Sequence, residues 1–410
     1  MTILQSKDFA RAKKRAPDYI PYNQPCIEQD EIMEVVRTLK SGWLTTGPRT
    51  FRFEKAFCDY IGSPFAIALS SCTAALHLAL KAGGVQQGDE VITTCMTFCA
   101  TGGAIEYVGA KPVFVDIDRL SFNIDPDLIE EKISSRTKAI IPVHYGGIPC
   151  DVDRIYALAE RHGLLVIEDA AHAVGSVYKN RKIGSHGNPT AFSFYPTKNM
   201  TTGEGGVLVT DNEEFANKVR VLSLHGVSKD AWKRYGQFGQ WYYEVHSLGY
   251  KYNFTDIQAA LGLKQLLKLD RFNAAREYLA KIYFDELEHF SEIELPVWYS
   301  SYFYNLSQHG FRNSWHLFVI LLNQERLRIA RAAFIEELKR LRIGASVHFI
   351  PLHLHPYYAK KYGYRRGEFP VAEEVYDNIV SIPLYPRLSK GNIYYVIDKI
   401  REICHRYADC

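Results

Sequence analysis

Lys198 sits in "SFYPTKNMTTGEGG", residues 193–206, between an apolar run and a glycine-rich turn. Most lysines are solvated charges, but this setting can bury an amine. Other polar residues stand where apolar runs end. "GLLVIEDAAHAVG" closes on Asp169, with His172 shortly after, and "AIIPVHYGG" closes on His144 and Tyr145. "AIALSSCTAAL" places Ser70, Ser71, Cys72 and Thr73 before an apolar-periodic segment. Singly, each has a plain structural reading. Ser or Thr before a helix is a cap, "GEGG" is a turn, and a histidine or carboxylate at a strand end is often only hydrogen-bonded structure.

Together they suit pyridoxal phosphate. That cofactor needs a lysine to hold its aldehyde as a Schiff base and later move protons. It needs a carboxylate to keep the pyridine nitrogen protonated, so that the ring draws electrons. It needs a helix N-terminus with small hydroxyl residues for its phosphate, and an aromatic face against the ring. Lys198, Asp169, the Ser71–Thr73 helix start with Ser193, and Phe98 in "TTCMTFCATGGA" can fill these roles.

The elements that must position them are legible as alternating patterns. From about residue 64 to 210, "PFAIALSS", "DEVITTCMTF", "KPVFVDID", "KAIIPVHYGG", "GLLVIEDAA", "TAFSFYP" and "GGVLVTDN" read as strands. They are apolar throughout rather than alternating, as strands covered on both faces are. Helical segments such as "TAALHLALKAGG" and "DRIYALAERHG" fall between them. The expected fold is α/β: a large domain with a mostly parallel sheet wrapped by helices. Ligands of such sheets sit beyond the carboxyl ends of the strands. After about residue 255, "TDIQAALGLKQLLKLDRFNAAREYLAKIYFDELEHF" reads as one long helix or two joined ones, capped at Thr255 or Asp256. "SWHLFVILL" and "SVHF" read as strands of a smaller α+β domain, with "RAAFIEELKRL" and "NIYYVIDKIREICHRYA" as its helices. The expected division is an N-terminal arm over 1–21, a large domain over 22–265 and a smaller C-terminal domain over 266–410.

The 410 residues exceed one core, and 47% hydrophobic with 23% charged residues is ordinary for a globular protein. A formal charge of +3 gives no strongly basic face, so nucleic acid is not an expected partner. The basic cluster Lys7, Arg11, Lys13, Lys14 and Arg15 reads as a solvated arm. No signal-like core opens the chain and no run nears the ~18 apolar residues of a membrane span, so no membrane partner is expected. Eight scattered cysteines without a CxxC pair indicate reduced thiols and a cytoplasmic setting, and zinc is not expected. The stretch 226–252 is a long aromatic loop, a length that is usually functional or disordered, and its aromatics argue against disorder. In "VHFIPLHLHP", His348, His353 and His355 offer a metal site, a substrate pocket or plain structure; the substrate pocket is preferred to metal for His348 and His353.

The chain resembles the DegT/StrS-type sugar aminotransferases, within the fold type I pyridoxal phosphate enzymes, from about residue 20 to 400. The blocks that carry the resemblance include "SGWLTTGPRTFRFEKAF", "SSCTAALHLAL", "PVHYGGIPCDVD", "VIEDAAHAVGSVY", "SFYPTKNMTTGEGGVLVTD", "GYKYNFTDIQAALGLKQL" and "FPVAEEVYDNIVSIPLYPRLS", in family order. The resemblance implies that Lys198 is the Schiff-base lysine, that Asp169 pairs with the pyridine nitrogen and that His172 lies near the ring oxygen. Ser193, Cys72 and Thr73 would bind the phosphate, Phe98 would stack on the ring, and Thr46 and Gly47 would line a sugar pocket. It implies a homodimer whose "GYKYN" segment completes the neighbour's site. Many members carry asparagine where Lys251 stands, so Lys251 or Asn253 would take over there. That segment is similar to members acting on 4-keto sugars in lipid A modification. The implied reaction moves an amino group from glutamate to a nucleotide-linked 4-keto or 3-keto hexose, with pyridoxamine phosphate as the half-reaction form. Sugar dehydratases of the family carry histidine at the lysine position, which Lys198 contradicts. Amination of a cyclitol or other ketone, and a non-catalytic regulatory relative, stay open at this point.

Overall fold

The computed structural model describes residues 18–227 and 242–408. The basic cluster of the expected arm, and most of the aromatic loop, lie outside the described residues. The last part of that arm is not free: Ile20 is fully buried, its N–H donates to Arg342 O at 2.8 Å, and Gly344 N donates back to Ile20 O at 2.8 Å.

Two helices, α1 (Gln29–Ser41) and α2 (Pro48–Ile61), lead into strand β1 (Phe65–Leu69) and helix α3 (Cys72–Ala82). Then come β2 (Glu90–Thr94), α4 (Cys99–Tyr107), β3 (Lys111–Val115), β4 (Thr137–Ile141) and α5 (Val152–His162). The next run supplies β5 (Leu165–Val166), β6 (Glu168–Asp169), a small hairpin of β7 (Val177–Tyr178) and β8 (Arg181–Lys182), then β9 (Thr190–Ser193), β10 (Gly206–Thr210) and α6 (Glu213–Ser223). Strands β3-β2-β4-β5 pair in parallel. Strand β6 pairs in parallel with β9, while β10 runs antiparallel to both β9 and β1. The two halves meet where Ile167 N donates to Ile140 O at 3.0 Å and Asp169 N to Pro142 O at 2.9 Å. The result is one mostly parallel sheet in which β10 alone is reversed. Val, Ile and Phe from both strand faces enter two buried clusters. One holds Phe53 and Phe57 of α2 and Ile155 of α5; the other holds Leu76 and Leu80 of α3 and Val219 of α6. Helices therefore cover both faces, which is why the strands read as unbroken apolar runs.

The helical stretch after residue 255 is two helices, α7 (Asp256–Leu266) and α8 (Leu269–Leu287). Thr255 caps α7 and forms a capping box with Gln258. The rest comprises β11 (Ile293–Glu294), α9 (Val297–Tyr304), β12 (Phe318–Leu322), α10 (Arg331–Arg340), α11 (Pro356–Tyr362), α12 (Pro370–Asn378), β13 (Ile379–Ile382) and α13 (Lys390–Tyr407). β11, β12 and β13 form an antiparallel sheet around a third core, where Trp315, Phe318 and Ile397 are buried. The expected strand "SVHF" is corrected: only Ser346 bridges, to Ser381, and the chain bends at His348. Pairing stops there because the segment turns into the site.

Candidate active site

Asp169 ends β6, at the carboxyl edge of the sheet. It is buried, and burial pushes its carboxyl up. Three contacts oppose that. Thr101 Oγ1 donates to Oδ2 at 2.8 Å, Ala171 N donates to Oδ1 at 3.1 Å, and Lys198 stands nearby as a cation. Thr101 lies in the first turn of α4 and shares a hydrogen bond with Thr97 at 2.8 Å. Behind Asp169, the buried Glu168 holds His144 Nε2 at 2.8 Å and Tyr156 Oη at 2.6 Å. Glu168 faces away because neighbouring residues of a strand point to opposite faces.

Lys198 follows β9 in a tight loop, with its N–H donating to Tyr195 O at 2.9 Å. Desolvation lowers its amine to about 8, against the pull of Asp169. An amine so placed is partly neutral near physiological pH, which a nucleophile and proton carrier requires. Asn199 anchors the loop from beneath: its Nδ2 donates to Ser314 O at 2.6 Å and to Asn273 Oδ1 at 2.8 Å.

A cradle able to hold an anion lies at the start of α3. Ser71 caps the helix, accepting from Ala74 N at 3.0 Å, and its carbonyl accepts from Ala75 N at 3.1 Å. That leaves the N–H groups of Cys72 and Thr73 for an anion. Gly206 begins β10 against this turn; a Cβ there would meet Cys72 N at 2.5 Å. Glycine is therefore needed for the strand to approach the cradle. Ser193, at the end of β9, lines the same cavity.

The cavity measures about 540 Å³ and joins Lys198, Asp169, His172, Ser193, Cys72 and Thr73 with Phe98 and His348. Phe98, 59% exposed, stands at its lip. Phe349 stacks on His172 with ring centroids 5.7 Å apart, and Tyr22 stacks on His348 at 5.4 Å. Burial lowers the imidazoles of His172 and His316 well below their usual value and takes His348 to about 3. Tyr22, Thr101, His316 and Phe349 belong to this wall and were not anticipated from sequence. Thr101 had a signal, one turn after Phe98 in "MTFCATGGA"; the others arrive from distant segments with none.

Five expected residues, Thr46, Gly47, Lys251, Asn253 and His353, lie outside this cavity. Asn253 Nδ2 donates to Thr46 Oγ1 at 2.9 Å, and Thr46 Oγ1 donates to Phe254 O. Gly47 precedes α2, whose first N–H groups are held by Asp256: Arg49 N at 3.0 Å and Thr50 N at 2.9 Å. Lys251 is exposed and bridges Leu224. The substrate reading of His353 is corrected. Its side chain is fully buried and paired with Glu373 at 2.9 Å, because the turn at Leu352–Leu354 points it into the small domain. Among the described residues, no three His, Cys, Asp or Glu side chains are grouped to hold a metal ion.

The residues fit pyridoxal phosphate: an amine of lowered basicity, a buried carboxylate that already has donors, and an open pair of helix N–H groups. Sheet, cradle and lysine define a fold type I aminotransferase. The chain belongs to the DegT/DnrJ/EryC1/StrS aminotransferase family, whose model matches residues 25–401. It is 50% identical over 386 residues to the spore coat polysaccharide biosynthesis protein SpsC of Bacillus subtilis, covering 94% of this chain and 97% of that protein. Spr1654 of Streptococcus pneumoniae, solved in its PMP form, superposes with a TM-score of 0.87 at 35% identity, covering 94% of this chain and 99% of that one. Its PLP form gives 0.86. PseC of Helicobacter pylori, an aminotransferase involved in the biosynthesis of pseudoaminic acid, gives 0.85 at 29% identity, covering 95% and 100%.

Proposed function

We propose that this protein moves an amino group from glutamate to the keto group of a nucleotide-linked 4-keto or 3-keto hexose. The observation that carries the reading is the half-buried Lys198 sharing one cavity with Asp169 and the open N-terminus of α3. Bound pyridoxal phosphate supplies an aldehyde and a cationic ring that delocalises electrons from an adjacent carbon. Lys198 would hold that aldehyde, and its Nζ, when free, would hold and move the proton. Asp169 keeps the ring nitrogen protonated, and the donors from Thr101 and Ala171 keep Asp169 ionised for that task. Cys72 and Thr73 N–H groups, with Ser193, would bind the phosphate. Gly146 N donates to His172 Nδ1 at 3.2 Å, so the neutral imidazole carries its hydrogen on Nε2 and would offer it to the cofactor's ring oxygen. Phe98 would cover the ring, and Phe349 and Tyr22, which line the cavity, would keep water from the reacting carbon. His348, which lines the cavity, would be the imidazole that meets the sugar.

The homodimer reading draws support from the segment before α7. Leu248 and Val245 are exposed there at 85% and 65%, beside Lys251. Apolar side chains in the open next to a cation suit a face that covers a second copy's cavity. Lys251 and Asn253, with Thr46 and Gly47, would then serve the neighbour's phosphate and sugar. The relationship to a spore coat polysaccharide protein and to PseC supports a sugar as acceptor. Free thiols and the lack, among the described residues, of a helix able to cross a membrane suit a cytosolic enzyme.

The test is the visible spectrum of the purified protein before and after glutamate. A yellow protein that bleaches, and a Lys198→Ala variant that folds but lacks the yellow band and turnover, are expected. A panel of nucleotide-linked keto sugars then restores the colour if the acceptor is right. Restoration by a cyclitol ketone alone would refute the sugar, and a protein that stays colourless with added cofactor would refute catalysis.

A further inference from the structure

Helix α4 carries Gly102 and Gly103 in its middle. Glycine inside a helix is unfavourable relative to alanine, so each needs a reason. Their surroundings differ. A Cβ on Gly103 would meet only Tyr107, at 3.7 Å, which is an ordinary contact. A Cβ on Gly102 would meet Tyr358 Oη at 2.6 Å and Leu352 Cδ1 at 2.9 Å. Both of those side chains are buried and belong to the small domain. The Tyr358 ring is itself wedged, edge-on to Phe114 of β3 with centroids 5.5 Å apart. Other contacts follow the same seam. Leu352 N donates to Cys95 O at 2.7 Å, and Tyr145 Oη donates to His348 O. At the far end of α4, Glu106 accepts from Tyr362 Oη at 2.5 Å and from Tyr357 Oη at 3.2 Å, and pairs with Lys361, all of α11.

The segment docked here begins with His348 and Phe349, which line the cavity. Phe349 meets Phe98, the residue just before α4, with ring centroids 6.1 Å apart. Thr101, beside Gly102, is tied to Asp169 of the sheet at 2.8 Å. Helix α4 is therefore the fixed side of the seam, and a side chain at 102 would be accommodated by moving residues 348–358. We infer that Gly102 is a positioning residue of the active site: its missing side chain lets the small domain seat on α4, and that seating sets His348 and Phe349 in the wall that meets the keto sugar. The inference rests on the function proposed above. Lys198, Asp169 and the start of α3 all come from the large domain and do not depend on the seam.

The test compares Gly102→Ala with Gly103→Ala in the full-length holoprotein. Both substitutions raise helix propensity alike, so a role confined to the stability of α4 would move both together. One readout is amide hydrogen exchange of the peptide holding Leu352, whose N–H is protected while it is bonded to Cys95 O. The other is steady-state turnover of the keto sugar. In Gly102→Ala the Leu352 amide is expected to exchange faster and the KM for the keto sugar to rise roughly tenfold, with kcat, the yellow band and its bleaching by glutamate near wild type. Gly103→Ala is expected to match wild type in every respect. A Gly102→Ala protein with wild-type exchange or a wild-type KM would overturn the inference, and so would equal effects of the two substitutions. Should Gly102→Ala not fold, Glu106→Ala loosens the same seam from the partly exposed end of α4. Exchange and KM are then expected to rise by a smaller factor, because such surface pairs are weak, and either one unmoved would overturn the inference. A wild-type protein that turns over no keto sugar would refute the proposed function, while the exchange comparison still decides whether Gly102 seats the segment.

Discussion

Thr101→Val tests how Asp169 is kept ionised. Valine has the shape of threonine but no hydroxyl, and it strips Asp169 Oδ2 of the one protein donor it has among the described residues. Burial already pushes the carboxyl up, so Ala171 N, with the long contact from Cys72 Sγ at 4.0 Å, must carry the charge with Lys198. A hydrogen bond to a charged group contributes about 1.5–3 kcal/mol. At 1.36 kcal/mol per pH unit, losing it raises the carboxyl by roughly 1–2 pH units. The sign follows from the role. Asp169 acts as a carboxylate, so activity is lost as pH falls through its pKa, and a higher pKa moves the acid limb of the rate profile upward. The assay is the pH dependence of glutamate-driven bleaching of the yellow band, with Thr101→Ser as the control that keeps the hydroxyl. The valine variant is expected to bind cofactor more weakly and to lose activity at a pH roughly 1–2 units higher, with serine close to wild type. An unmoved limb in a folded valine variant, or a limb moved downward, would refute the argument that Thr101 holds the charge.

Asp169→Ala should weaken cofactor retention and turnover together, because the ring nitrogen loses its counter-ion; dialysis followed by absorbance checks the first and keto-sugar turnover the second. Asp256→Ala removes a buried carboxylate that Arg49 N, Thr50 N and Thr50 Oγ1 all contact within 3.0 Å. Left without an acceptor, the start of α2 should cost about 3 kcal/mol of stability, read from urea unfolding. His353→Phe should lower stability, because Glu373 loses its hydrogen bond to His353 and keeps only the backbone donors Gly367 and Phe369 and the Arg366 ion pair, yet leave the KM for the keto sugar unchanged; a raised KM would return His353 to the substrate pocket.

By itself the sequence determined the parts of this protein that depend on local pattern. Unbroken apolar strands require cover on both faces, so an α/β sheet with helices on either side was legible. Strand ends carrying Asp169 and Ser193, the Ser71 helix cap and Lys198 in its glycine-rich loop are short-range features, and they share one cavity. The tertiary structure decided what depends on segments far apart. Only the fold brings Thr101 to Asp169, and only packing of the small domain turns His316, His348 and Phe349 toward Lys198 while burying His353 against Glu373. The reversal of β10 was equally unreadable, since a buried strand has the same composition in either direction. Basicity is the clearest case. Lys198 falls from its usual value to about 8 through desolvation, a property of the cavity that no single stretch of chain contains.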